Sequence, residues 1–124
     1  MLRKMFFIYL LVMSFTTFAK PDCYLVQTSK QLYNALSAKH ITGVKDICLA
    51  DGLYLLNRTL IIDQPHTKVR SLSNDPHKVI LQGSGMKATA TVDNLIWVAA
   101  SHVSLIGMTL RESANHLVQV AGER

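Results

Sequence analysis

The sequence predicts an all-β protein, a parallel β-helix whose open N-terminal end is covered by one short α-helix. After the N-terminal apolar run, one amphipathic helical period occurs, near residues 29–39. From residue 46 onward the chain consists of short runs of Val, Ile and Leu separated by Asn, Asp, Gly, Ser and His. Few of these separators are tight-reversal dipeptides, which favours strands wound into coils over antiparallel hairpins.

Residues 1–19 have the organisation of a cleavable signal peptide. Arg3 and Lys4 precede an unbroken apolar run, and smaller, more polar residues follow up to Ala19. The alternative, an uncleaved membrane anchor, requires roughly 20 apolar residues, about twice the length of this run. We therefore expect an exported protein, periplasmic or extracellular, that starts at Lys20 and has no membrane attachment after cleavage.

The charge of the exported chain limits its partners. Removing the signal peptide leaves eleven basic and eight acidic residues, a net charge of +3. Such a surplus suits a polyanionic ligand without requiring one. The basic residues form no run and no stripe with interleaved aromatic residues, so the sequence predicts no nucleic-acid binding.

Two cysteines, Cys23 and Cys48, remain after cleavage. Export places them where disulfides persist, and closing a loop of this length stabilises a fold by about 3 kcal/mol. The alternative is that Cys48, inside an apolar run, is a buried thiol. Both interpretations stay open at the level of the sequence.

The N-terminal segment, residues 20–45, carries the helix. Thr28 and Gln31 have the spacing of a capping box, and an amphipathic helix over residues 29–39 follows, ending near Gly43. Its apolar face consists of Leu32, Ala35 and Leu36. This helix is expected to cover an apolar surface.

Residues 46–124 supply the strands. The apolar runs centre on residues 47–49, 54–56, 60–62, 69, 79–81, 95–98, 103–106, 108–110 and 117–120. An antiparallel sandwich is the competing architecture, and Asp51-Gly52 between two runs is a hairpin signal that supports it. Several runs lack a clean alternation of apolar and polar residues, which favours stacked strands of a β-helix.

Three segments resemble the pectate-lyase-like superfamily of right-handed parallel β-helix proteins. Residues 47–54, ICLADGLY, resemble the entry to the first coil of that family, where an amphipathic helix like residues 28–39 caps the N-terminal end. Residues 79–86, VILQGSGM, are similar to a coil of exported bacterial members, and residues 98–120 to the next coils. The resemblance implies a right-handed parallel β-helix.

The resemblance also implies a carbohydrate-active protein that acts on or binds acidic polysaccharide. The alternative is a non-catalytic periplasmic or surface β-helix with a binding or structural role, because this fold carries many functions. Lyases of the family use Lys or Arg as the base and calcium held by clustered carboxylates. No two acidic residues here have the spacing of strand alternation, so the sequence predicts no catalytic residue and no metal ligand, and calcium only in a full-length lyase.

Residues 121–124 follow the last apolar run without a polar cap. Since terminal coils of a solenoid normally carry a cap, we expect either the N-terminal part of a longer gene product or a truncated reading frame, in both cases without the catalytic coils. An uncapped coil also predicts self-association through its unpaired strand edges.

Lys68, Arg70 and Arg111 are the candidate substrate-binding residues. Lys68 and Arg70 flank Val69, so both project from one outer face when Val69 points inward, and Arg111 is expected to join that face from a later coil. The alternative is a solvated sheet face without a ligand. The five histidines show no metal-binding spacing, and residues 57–59 match a glycosylation sequon, which has meaning only in a eukaryotic secretory pathway.

Overall fold

The computed structural model describes residues 22–39, 43–86 and 91–122. Within these ranges the chain forms one helix and ten short strands. In chain order the elements are β1 Tyr24–Val26, α1 Ser29–Ser37, β2 Lys45–Leu49, β3 Gly52–Leu55, β4 Leu60–Ile62, β5 Thr67–Ser71, β6 Val79–Gln82, β7 Ile96–Val98, β8 Ser104–Ile106, β9 Thr109–Arg111 and β10 Val118–Val120. The signal peptide and the start at Lys20 lie outside the described residues and stay predictions.

Helix α1 begins at the predicted cap. The Thr28 hydroxyl accepts a hydrogen bond from the Gln31 backbone N–H at 3.2 Å, and the Gln31 side chain accepts one from the Gln27 N–H at 2.8 Å. These contacts satisfy two backbone donors around the first turn. The apolar face predicted for the helix is buried, as expected.

The helix ends at Ser37, two residues before the predicted end. Ala38 leaves the helical conformation, and the ammonium group of Lys45 donates to the carbonyl oxygens of Ala35 and Ala38. A cation at this position satisfies carbonyls that have no partner within the helix and complements the helix dipole. Burial lowers the pKa of Lys45, and the charge of Asp63 opposes that effect.

All strand pairings among the described residues are parallel, and they form three sheets. The sheets have the strand orders β1-β2-β5-β8, β3-β6-β9 and β4-β7-β10. From β2 onward the chain visits the three sheets in a fixed rotation, so each strand pairs with the strand three positions later. The prediction of an all-β chain with one short helix is confirmed, and its strands are parallel.

Asp51-Gly52 is not a hairpin. It connects β2 to β3, and these two strands belong to different sheets. The Gly52 N–H donates to the carbonyl of Lys78, so Gly52 starts a strand that pairs with β6. The antiparallel sandwich is therefore excluded for the described residues.

The core lies between the three sheets and extends to α1. In each sheet, alternate residues point inward and stack on their register partners in the next strand. The inward columns are Ile47-Val69-Leu105, Tyr54-Leu81-Leu110 and Leu60-Ile96-Val118. Tyr54 is buried, and its hydroxyl lies 2.7 Å from the carbonyl oxygen of Ala50 and 3.0 Å from that of Val26. These two carbonyl oxygens satisfy the hydrogen-bonding capacity of the buried Tyr54 hydroxyl within the protein.

A disulfide joins Cys23 to Cys48, with Cα atoms 5.8 Å apart. Cys48 is fully buried, and it pairs in register with Leu25 of β1. Because β1 shares only three register positions with β2, the disulfide provides a covalent link where the ladder is short. None of the described helices is long and apolar enough to cross a membrane.

Candidate functional site

The predicted cationic face exists on β5. Thr67, Val69 and Ser71 are buried, so Lys68 and Arg70 both project outward. Asp46 of β2 lies on the same face, where it is the register partner of Lys68. The alternation of side-chain direction along β5 was sufficient to predict that Lys68 and Arg70 lie on the same face.

Arg70 is engaged within the protein. Its Nε atom donates to the Asp46 carboxylate at 2.9 Å, and this hydrogen bond raises the pKa of Arg70. Lys68, Arg70 and Asp46 together carry one net positive charge, and a ligand carboxylate would compete with Asp46 for the guanidinium. This face therefore offers a weak anion site.

Arg111 does not lie on that face, contrary to expectation. It ends β9 in the sheet β3-β6-β9, where its Nε atom donates to the Gln82 side-chain oxygen at 2.7 Å. In the sheet that contains Arg70, its register partner on the next strand, β8, is Ile106. The reason is the rotation of the chain through three sheets, which gives successive strands different outward directions.

A groove of about 640 Å³ lies between α1 and the connection from β3 to β4. The helix contributes one wall and residues 55–58 the other. Its polar lining comes from Ser29, Lys30, Tyr33, Asn34, Asn57 and Arg58. We call this feature the Arg58 groove.

Tyr33 holds Arg58 in place. The Tyr33 hydroxyl donates to the carbonyl oxygen of Arg58 at 2.6 Å and accepts from the Arg58 backbone N–H at 3.3 Å. The Arg58 guanidinium carbon lies 4.4 Å from the centroid of the Tyr33 ring, a cation–π contact. A guanidinium that is already oriented loses less side-chain freedom when it binds an anion.

Lys30 and Arg58 are the charged residues that line the Arg58 groove. Within the part of the chain that the structure describes, neither Lys30 nor Arg58 forms an ion pair, whereas Arg70 does. Arg58 is exposed, so the N–H groups of its guanidinium are accessible to an anion from solvent. Two cations, two side-chain amides and an aromatic ring can bind an oxygen-rich anion.

A second, smaller groove of about 360 Å³ continues from the first. Tyr33 and Arg58 line both grooves, and Ile61 and Asp63 of the β4 region line only the second. The Thr59 hydroxyl donates to the carbonyl of Asn94 at 2.6 Å, which links this connection to the residues before β7. The Arg58 groove therefore opens toward the outer face of β4.

Calcium, which the resemblance implies for a full-length lyase, does not fit the residues present. Across residues 22–39, 43–86 and 91–122, no group of three or more His, Cys, Asp or Glu side chains comes together. His66 and His102 stack with their ring centroids 4.7 Å apart. Both have positive φ angles, 58° and 55°, and each lies two residues before one member of the register pair Lys68 and Ser104 of β5 and β8.

Sequence reasoning missed the Arg58 groove. Lys30, Tyr33 and Asn34 have the i, i+3, i+4 spacing of one helix face, a signal that was present in the sequence. Arg58 was considered only as part of a sequon. Its partner Tyr33 lies 25 positions earlier in the chain, and no local pattern connects the two.

No family model matches this chain, and no curated protein or solved structure matches it either. The functional assignment therefore rests on the geometry and charge of the Arg58 groove.

Proposed function

We propose that this chain forms the first coils of a right-handed parallel β-helix in an exported protein, and that it binds acidic polysaccharide. The rotation of the strands through three parallel sheets supports the β-helix. The step from β2 through β3 and β4 back to β5 is a parallel crossover, and such connections are right-handed in about 98% of cases. Helix α1 contributes its apolar face to one end of the same core.

The observation that carries the binding proposal is the Arg58 guanidinium, which lies over the Tyr33 ring, lines one groove with Lys30 and forms no ion pair among the described residues. A uronate carboxylate matches the fork of N–H groups on a guanidinium. Sugar hydroxyls are both donors and acceptors, which suits the amides of Asn34 and Asn57.

Arg58→Gln is expected to weaken binding of polygalacturonate and alginate by about 10-fold to 100-fold, because one charge-assisted contact contributes about 1.5–3 kcal/mol. Isothermal titration calorimetry at two salt concentrations measures the effect. The purified protein should bind more weakly at high salt, and the variant should show a shallower salt dependence.

The matched control is Arg111→Gln, which removes the same charge from a different sheet and should change the affinity less than twofold. Lys68→Gln and Arg70→Gln test the face suggested by the sequence. Loss of affinity in these two variants with Arg58→Gln unaffected would place the ligand on β5 and refute the Arg58 groove. Assaying the same mixtures for unsaturated uronate products separates binding from lyase action.

A structural role in assembly is the second candidate, and the last strand of each sheet favours it. β8, β9 and β10 each pair with one neighbour among the described residues, and the inward-facing Val118 and Val120 are 38% and 63% exposed. Unpaired strand edges beside exposed apolar residues promote association between chains.

Val120→Lys tests this second role. We expect the variant to reduce self-association by about tenfold, because a charge at the edge opposes the pairing of strands. Analytical ultracentrifugation over a range of concentrations measures it, and Leu53→Lys, on an exposed position of β3, is the control. Equal association of the Val120 variant and the unmodified protein would exclude this edge as the contact.

A further inference from the structure

The outer face of the sheet β4-β7-β10 carries a row of three side chains. Ile61, Trp97 and Gln119 are register partners on adjacent strands, about 4.8 Å apart from one strand to the next. Their neighbours along β4 and β7 point into the core, so this row faces outward. Ile61 is 55% exposed and Trp97 is 36% exposed.

This row is continuous with the Arg58 groove. Ile61 lines the same smaller groove as Tyr33 and Arg58, and Trp97 is the next side chain across the sheet. A path therefore runs from Arg58, beside Asp63 and past Ile61, to the indole of Trp97. One extended ligand can contact both ends of this path.

We propose that Trp97 forms a second sugar subsite, where a ring of the same acidic polysaccharide stacks its C–H face on the indole. This inference rests on the proposed function. A sugar ring has an apolar face and a polar rim, and Trp combines a large apolar surface with an N–H donor. Gln119, next to Trp97 in register, supplies an amide for the hydroxyl groups.

The polysaccharide is the occupant that the surroundings favour. Its carboxylates are attracted to Lys30 and Arg58, neither of which forms an ion pair among the described residues, although Asp63 lines the smaller groove beside Arg58. Once one end of a chain is bound there, the neighbouring sugars reach Trp97 at a high effective concentration. The subsite thus lengthens the binding site along the polymer, and it predicts that affinity depends on chain length.

Trp97 is the only tryptophan in the sequence, so intrinsic tryptophan fluorescence reports on this position alone. Galacturonate octasaccharide is expected to shift the emission, whereas the disaccharide is expected to bind with little change. Trp97→Ala should weaken octasaccharide binding by about tenfold and leave disaccharide binding unchanged. Trp97→Tyr keeps an aromatic ring, should restore most of the affinity, and controls for damage to the fold.

The outcomes separate the two proposals. If the octasaccharide binds, Arg58→Gln weakens it, and both Trp97 emission and the Trp97→Ala affinity stay unchanged, the subsite is refuted and the proposed function stands. If neither saccharide binds, both proposals fail. An emission shift that depends on protein concentration and needs no sugar would assign this face to a second copy of the chain and overturn the subsite.

Discussion

Gly83→Ala is expected to lower the free energy of unfolding by about 3 kcal/mol, because the site has no space for a methyl group. An added Cβ would lie 2.3 Å from the carbonyl oxygen of Glu112 and 3.2 Å from Cδ1 of Leu95. The nearer atom belongs to the backbone that follows the neighbouring strand β9, so the clash is relieved only when β6 and β9 shift against each other. The Gly83 N–H, which donates to the carbonyl of Arg111 at 3.1 Å, would be displaced by the same shift.

Urea unfolding followed by circular dichroism measures this effect. Gly52→Ala is the matched control, since no atom lies within 4 Å of a Cβ added there. We expect the control to change the free energy of unfolding by less than about 1 kcal/mol. Equal stability of the two variants would show that the chain segments around Gly83 are not packed as closely as described.

Removing the disulfide is expected to destabilise the protein by about 3 kcal/mol, mainly because the unfolded chain gains freedom. Cys23 and Cys48 are 25 positions apart. The bond also holds the segment before β1 against β2. Replacing both cysteines with Ala and unfolding the variant in urea, next to the oxidised and reduced unmodified protein, measures the contribution.

The double variant supplies its own control. The sequence contains two cysteines, so a reductant should destabilise the unmodified protein and leave the double variant unchanged. If full reduction of the unmodified protein leaves its urea midpoint where it was, the stabilising role of the bond is refuted.

The start of α1 and most of the strands were predictable because their signals are local. A capping side chain lies three residues from the N–H group whose hydrogen bond it accepts. The length of a short apolar run can be read directly from the sequence. Strand β1 was missed, since three residues near the N-terminal end carry too little pattern. The helix end was also misplaced, because Lys45, whose ammonium group donates to the carbonyls of Ala35 and Ala38, lies outside the helical segment.

For the candidate site, too, the sequence predicted what depends on one strand and missed what depends on contacts between strands. Alternation within one strand placed Lys68 and Arg70 on a single face. It did not reveal Asp46 beside them, since that neighbour depends on the register between β2 and β5. Arg111 was misplaced because the direction of its strand is set by which of the three sheets it joins.

By itself, the sequence determined the all-β class, the single helix and the inward positions, because these depend on the spacing of residues within one segment. The tertiary structure decided that Arg58 stacks on Tyr33 and that Ile61 and Trp97 lie side by side. These contacts join residues 25 and 36 positions apart. Only the path of the chain through three sheets brings such residues together. No pattern within one segment encodes a contact with a residue so far away in the sequence.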